Sequence, residues 1–205
     1  MADPLSLNTY IVRKEIISLK PTYDVLDQNG EAIIKTIQKN LITAGVPDFI
    51  ITDANGNKMA RIHHEFSMAT DTFEFYDASE KLDGKMHQNF YNKPPAFGGL
   101  INPYLLLDAN ENKIAVAGGK AKLSNLLKNI VGGDTNVNYS IYDPEQKNII
   151  AEINTDLTGT GVKDMFKNLA GRAYLVNIQQ KLIPTLKIIE FILAIDIREE
   201  YKKWK

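Results

Sequence analysis

The 205-residue chain contains no cysteine. Disulfide frameworks, thiol nucleophiles, thiolate zinc sites and S-palmitoyl anchors are therefore excluded, and a reducing compartment is compatible with the composition. Histidine is nearly as scarce: His63 and His64 are neighbours, and His87 stands apart. Adjacent strand residues point to opposite faces, so the first two cannot ligate one ion from a strand; no metal site and no cofactor is expected. Neither sign of charge dominates. The 24 Lys and Arg against 25 Asp and Glu leave a net of -1, which argues against the strongly basic surface of a general nucleic-acid binder. Long apolar runs are missing too: the unbroken stretch Phe191 to Ile195 is far short of the roughly 20 residues that span a bilayer. The opening MADPLSLNTYIVRKEI has no secretory apolar core, and Ala2 stands where myristoylation needs glycine. There is no nucleophile elbow, phosphate-cradling loop or dinucleotide fingerprint, and the Gly-Gly pairs from Gly98, Gly118 and Gly132 read as punctuation. The expectation is a cytoplasmic protein that is neither an enzyme nor transmembrane.

What the chain does contain is one pattern written five times: alternating apolar positions, an Asp, a polar turn, then a second alternating run. The copies are YDVLDQNGEAIIKTI from Tyr23, FIITDANGNKMARIHH from Phe49, FEFYDASEKLDGKMHQNF from Phe73, YLLLDANENKIAVAG from Tyr104 and YSIYDPEQKNIIAEI from Tyr139. Each reads as a β-hairpin. Asp27, Asp53, Asp77, Asp108 and Asp143 start turns by bonding nearby backbone, while Gly30, Gly56 or asparagines are expected to supply the positive φ of a tight reversal. Two further strands are expected at Thr9–Ile17 and Arg172–Gln180, giving twelve. A sheet of that size gains by closing, which removes its edges. Since about eight strands already fill their own interior, twelve leave a lumen that needs a filler.

The filler is expected near the C-terminal end of the sequence, in PTLKIIEFILAIDIREEYKKWK from Pro184. Pro184 suits a first helical turn, and Ile188, Ile189, Phe191, Ile192, Leu193, Ala194, Ile195 and Ile197 are apolar on every side rather than along one stripe, so the helix must be enclosed. The fold class is thus mainly β: a closed twelve-stranded antiparallel barrel of repeated hairpins, strands about 9–181, around a central helix about 184–203, as one domain over 1–205. Between hairpins, Asn89–Asn102 reads as a Pro- and Gly-rich loop, and Lys120–Gly133 and Gly161–Gly171 as short surface helices.

Several residues invite chemistry. Asp53, Asn55 and Asn57, like Asp108, Asn110 and Asn112, imitate the start of a calcium loop, but Lys58 or Lys113 occupies the sixth position and His64 or Gly119 the twelfth, so they read as turn residues. Asp196 interrupts an apolar helix and must lie beyond the rim or be paired inside, because a bare buried carboxylate costs several kcal/mol; a structural partner is expected, with a proton-handling or substrate role as the alternative. Lys120, Lys122 and Lys128, with Lys163, Lys167 and Arg172 on the second short helix, compose a candidate patch for anionic headgroups if the two helices share a side; the alternative is a solvated face. Lys202, Lys203, Trp204 and Lys205 suit an interfacial anchor or a helix end matched to its dipole.

The repeated Asp-turn hairpins followed by a hydrophobic helix ending in FILAIDI resemble the LURF-one-related family, grouped with the tubby C-terminal domain and the phospholipid scramblases. The resemblance covers Tyr10 to about Glu200 and implies a twelve-stranded barrel threaded by its last helix. For function it implies phosphoinositide binding and membrane tethering, as in tubby-type domains, or action on phospholipids, as in scramblases; with no reaction centre in the sequence, the expectation is a non-enzymatic barrel that binds a ligand or partner, anionic phospholipid or phosphoinositide leading. The chain lacks the proline-rich N-terminal region and cysteine cluster of scramblase-like proteins, and the phosphoinositide-binding basic residues of tubby domains have no counterpart that can be placed here. Two rival classes remain open: a structural module for a protein partner, marked by a large exposed apolar patch, and a barrel-mouth enzyme or small-ligand carrier, marked by a pocket with convergent polar groups.

Overall fold

The computed structural model describes residues 3–15, 22–39, 48–66, 71–88, 100–120, 139–154 and 173–201. In them the Asp-turn repeats form five hairpins. These are β2 (Thr22–Leu26) with β3 (Ala32–Gln38), β4 (Asp48–Asp53) with β5 (Lys58–Phe66), β6 (Asp71–Asp77) with β7 (Leu82–Gln88), β8 (Leu100–Asp108) with β9 (Lys113–Lys120), and β10 (Tyr139–Tyr142) with β11 (Ile149–Asn154). In the first hairpin Asp27 N donates to Glu31 O at 2.9 Å and Gly30 N to Asp27 O at 3.1 Å, and the same pair of bonds recurs at Asp53, Asp77 and Asp108. This is the three-residue loop in which a type I turn is followed by one left-handed residue. The Asp side chain holds it. In each of these four turns its Oδ1 accepts the backbone N–H groups two and four residues on, which is why the carboxylate recurs at that place. The Asp143 loop is one residue longer, with Asp143 N donating to Asn148 O at 3.0 Å.

The left-handed residue is Gly30 (φ 84°) and Gly56 (φ 87°) in the first two turns, but Glu80 (φ 66°), Glu111 (φ 67°) and Gln146 (φ 60°) in the others, not an asparagine. Turn geometry assigns the strained position by count from the Asp, whatever residue stands there. The asparagines serve the carboxylate instead: the Asn57 and Asn112 side chains donate to Asp53 Oδ2 and Asp108 Oδ2 at 2.8 and 3.0 Å.

Two strands close the ring, β1 (Thr9–Glu15) and β12 (Ala173–Ile178); Gln179 and Gln180 fall after β12, and Ile16, Ile17 and Arg172 lie outside the described residues. They pair antiparallel from Thr9↔Asn177 to Arg13↔Ala173, and β1 also pairs with β2. All other pairs join strands consecutive in sequence, giving a closed antiparallel barrel of twelve. Two boundaries differ from expectation. Leu100–Asn102 belong to β8 rather than to the loop before it, and Lys120 ends β9 rather than opening a helix. Both follow from a β8–β9 ladder that continues through Ile101↔Gly119 to Leu100↔Lys120. The remainder of both expected surface helices, 121–133 and 161–171, and residues 89–99 lie outside the described residues.

The helix α1 (Thr185–Tyr201) fills the lumen. Pro184 sits just ahead of its first turn, where its carbonyl accepts Ile188 N–H at 3.2 Å. Ile188, Ile189, Phe191, Ile192, Leu193, Ala194, Ile195 and Ile197 are all 4% exposed or less, packed with inward strand residues such as Phe49, Phe73, Phe75 and Tyr104 in one apolar cluster. At roughly 1.5–3 kcal/mol per large side chain removed from water, this helix alone accounts for a large part of the burial term.

Connectivity gives the barrel two unlike ends. All five Asp turns lie at one, the turn end, and the links between hairpins leave and re-enter the sheet at the other. β12 runs toward the turn end, so α1 enters the lumen there and its C-terminal half points to the opposite mouth. Residues near the N-terminus pack at the turn end: Leu5 and Leu7 join the core, and Tyr10 OH donates to Leu7 O at 3.0 Å.

Candidate functional site at the two ends of the lumen

Each end of α1 carries a buried polar cluster, and the two clusters face opposite walls. Lys187 and Asp196 are nine residues apart, which at 100° per residue puts them on opposite sides of the helix.

At the mouth away from the turns, Asp196 is 8% exposed. Tyr23 OH of β2 donates to its Oδ2 at 2.7 Å, Tyr174 OH of β12 donates to its Oδ1, and Lys14 Nζ of β1 lies 3.4 Å from Oδ2. The Lys14 ammonium also stands 5.5 Å from the centre of the Tyr23 ring. Of the two places the sequence allowed for Asp196, inside and paired is the one observed. Its partners come from three adjacent strands, β2, β1 and β12, the ones that close the barrel. Chemically this is a neutralised carboxylate with its acceptor sites taken by protein donors, which suits anchoring.

At the turn end, Glu190 is 1% and Lys187 5% exposed. Lys187 Nζ lies 2.7 Å from Glu190 Oε2 on its own helix and 2.6 Å from Asp83 Oδ2 of β7, the strand diametrically across the ring from β1. It also stands 5.3 Å from the Phe75 ring centre. Burial pushes the Glu190 carboxyl up to about 7, against the pull of Lys187. Nearby, burial likewise pushes the Tyr10 phenol up to about 12.

The other sequence-marked groups are distributed as follows. His63 and His64 point to opposite sides of β5: His64 is buried and stacked on Phe73 at 4.4 Å between ring centres, while His63 Nδ1 lies 4.0 Å from Asp48 Oδ1 on the outer face. Asp53 and Asp108 spend their oxygens on their own turns, and those hydrogen bonds, the one from the following asparagine side chain first, hold both carboxyls below the usual carboxylate range. The outer wall is laced with ordinary ion pairs, such as Arg61 with Glu80 at 2.7 Å and with Asp48 at 3.3 Å, its guanidinium 4.1 Å from the Tyr76 ring centre. Of the six basic residues marked for headgroup binding, Lys120 is the last residue of β9, at the end away from the turns. Lys122, Lys128, Lys163, Lys167 and Arg172 lie outside the described residues, as do Lys202 to Lys205.

Sequence reasoning did not assign roles to Lys14, Tyr23, Tyr174, Lys187 and Asp83. Parity could have flagged Lys14, which follows Tyr10 and Val12 on the inward face of β1, and the i,i+3 spacing of Lys187 and Glu190 is visible in the sequence. No helix among the described residues is long and apolar enough to cross a membrane, which leaves open what strands do.

No curated protein matches the chain. The family model of the LURP-one-related proteins matches residues 8–186, from the residue before β1 to the first turn of α1. The barrel that this span encodes is therefore that of a family member: the chain belongs to the LURP-one-related family.

Proposed function

We propose that the chain is a single non-enzymatic binding domain that tethers peripherally, on the cytoplasmic side, to anionic phospholipid or phosphoinositide headgroups through the barrel end opposite the Asp turns. One observation carries this reading: charge is segregated in the sequence between the five turns and the stretches that join hairpins, although the chain is nearly neutral. The five turns, residues 27–31, 53–57, 77–81, 108–112 and 143–148, hold nine Asp or Glu and two Lys. The stretches attached to the other end (16–21, 40–47, 67–70, 89–99, 121–138, 155–172 and 202–205) hold ten Lys or Arg and three Asp. The headgroup candidates Lys120, Lys122, Lys128, Lys163, Lys167 and Arg172 all belong to the strand end or stretches at this basic end. An anionic surface attracts one end of such a molecule and repels the other. The filled lumen supports binding over catalysis, because the buried carboxylates at both ends of α1 already have basic or phenolic partners within the barrel. The resemblance to tubby-type and scramblase barrels supports lipid over other anions.

The test is sedimentation with phosphatidylserine or phosphoinositide vesicles at low and physiological salt. Basic residues near an anionic surface contribute about 1 kcal/mol each, so changing Lys120, Lys122 and Lys128 together to Ala should weaken binding by about two orders of magnitude. Binding should also fall steeply as salt rises, since screening at physiological salt acts within about 8 Å. If the protein stays in the supernatant even at low salt, the lipid reading fails and a protein partner for the basic end replaces it.

A further inference from the structure

The turn-end cluster has an unbalanced charge inventory. One ammonium, Lys187, serves two carboxylates, Asp83 at 2.6 Å and Glu190 at 2.7 Å. The two acids are not equivalent. Asp83 is 54% exposed at its side chain and keeps water around it, whereas Glu190 is 1% exposed and has none to draw on. The ammonium is shared between the two, so Glu190 lacks the full set of donors that holds Asp196. Among the described residues, the charged groups that face Glu190 are Lys187 from its own helix and Asp83 from β7. β6 offers the Phe75 ring beside Lys187.

We propose that Glu190, Lys187 and Asp83 form a proton-responsive latch, in which Glu190 seats the first half of α1 against β7 while protonated and releases it on ionisation. With the proton on, Lys187 and Asp83 are a balanced pair and Glu190 is a neutral carboxyl. With the proton gone, a second negative charge appears in a dry site whose one nearby cation among the described residues, Lys187, is shared with Asp83. The relief is local. Lys187 and Glu190 lie in the first two turns of α1, so loosening these turns hydrates Glu190, while Asp196 keeps the other half of the helix tied to β1, β2 and β12. The folded pKa of Glu190, about 7 against 4.5 for an unperturbed Glu, fixes the sign: the stabilisation is fully present below about pH 4.5 and is lost as pH rises through about 7. The device does not depend on lipid binding and stands or falls separately from it.

Hydrogen exchange of the Ile188 to Phe191 amides, corrected for intrinsic rates, tests the latch on the full chain. Opening should increase with pH by nearly tenfold per unit between about pH 5 and 7, as release of one proton on opening requires, and level off above about 7, where Glu190 is ionised in both states. Glu190→Gln should make it flat, and Asp83→Asn should move the midpoint to lower pH by removing a nearby negative charge. Carbon-13 carboxyl resonances should show Glu190 titrating near neutrality. Unchanged pH dependence in Glu190→Gln overturns the proposal. Should that variant fail to fold, a Glu190 resonance titrating below pH 5 in the unaltered protein overturns it instead.

Discussion

Tyr23 OH donates to Asp196 Oδ2 at 2.7 Å across 173 residues of sequence, tying the second strand of the barrel to the helix that fills it. With Lys14 and Tyr174 on the same carboxylate, the bond fixes both the depth and the rotation of α1 in the lumen. Breaking a buried pair by removing one partner strands the other charge, at about 3–5 kcal/mol. Asp196→Ala should therefore cost that much in urea melts, and Tyr23→Phe about 1 kcal/mol, because it removes one hydrogen bond and leaves the carboxylate its other partners. Lys14→Met combined with Asp196→Ala should recover part of the loss. An additive double variant would show that the two side chains do not interact.

The apolar middle of α1 makes a second expectation quantitative. Ile192 and Leu193 are 3% and 1% exposed, so truncation of either to Ala should destabilise by roughly 2–5 kcal/mol through lost transfer energy and a residual cavity. Ile37, at 54% exposure on β3, is the internal control, and its truncation should stay within about 0.5 kcal/mol. Equal effects at the two kinds of site would remove the enclosed helix from the account of stability.

Backbone geometry predicts opposite signs for two glycine exchanges. A Cβ on Gly84 would sit 2.6 Å from the Leu107 carbonyl oxygen, a backbone atom that cannot turn aside, so Gly84→Ala should force β7 and β8 apart and cost at least about 1–3 kcal/mol. Gln146 holds φ 60° in the Asp143 turn, a conformation that costs an L-residue roughly 1–2 kcal/mol. Gln146→Gly should relieve it, and after the added freedom of the unfolded chain is charged the net gain is about 0.5 kcal/mol. Thermal melts of the two variants should move in opposite directions.

Calcium should leave the melting temperature unchanged, because Asp53 and Asp108 spend their oxygens on their own turns. Any ion that bound the native state would raise it. The same bonds set a pH expectation. The carboxyls of Asp53, Asp77, Asp108 and Asp143 are held below the ordinary Asp value of 3.8, so whatever the turns gain from them is present above that pH and lost as pH falls through the lowered values. Carbon-13 titration of the four carboxyls checks the direction. A calcium-dependent rise abolished by Asp53→Ala would identify ligands where turn residues are described.

The fold was legible because its determinants are local. An Asp followed by polar residues between two alternating runs specifies a hairpin within some fifteen residues, and the all-round apolar face of Ile188 to Ile197 demands enclosure wherever the helix lies. The polar clusters were not, because they depend on how α1 is rotated and how deep it sits. Lys14 is plainly on the inward face of β1, yet nothing near it announces Asp196, and Asp83 looks like one more turn-side acid until Lys187 is seen beside it. The left-handed Glu80, Glu111 and Gln146 were missed for a simpler reason: residue preference was read where counting from the Asp decides.

The pairing of Thr9 with Asn177 has a consequence for how the protein is made. Every other neighbour in the barrel is a neighbour in sequence, so hairpins can form as they leave the ribosome, yet β1 waits for β12 and the lumen waits for α1. At 5–20 residues per second, synthesis of such a chain lasts roughly 10–40 s, and for most of it the growing sheet is a curved sheet with two free edges. Its concave side shows Phe49, Phe73, Phe75 and Tyr104 to water. A nascent chain of this shape exposes apolar surface and unpaired strand edges, and a chain stopped before residue 173 should aggregate rather than settle into a smaller barrel.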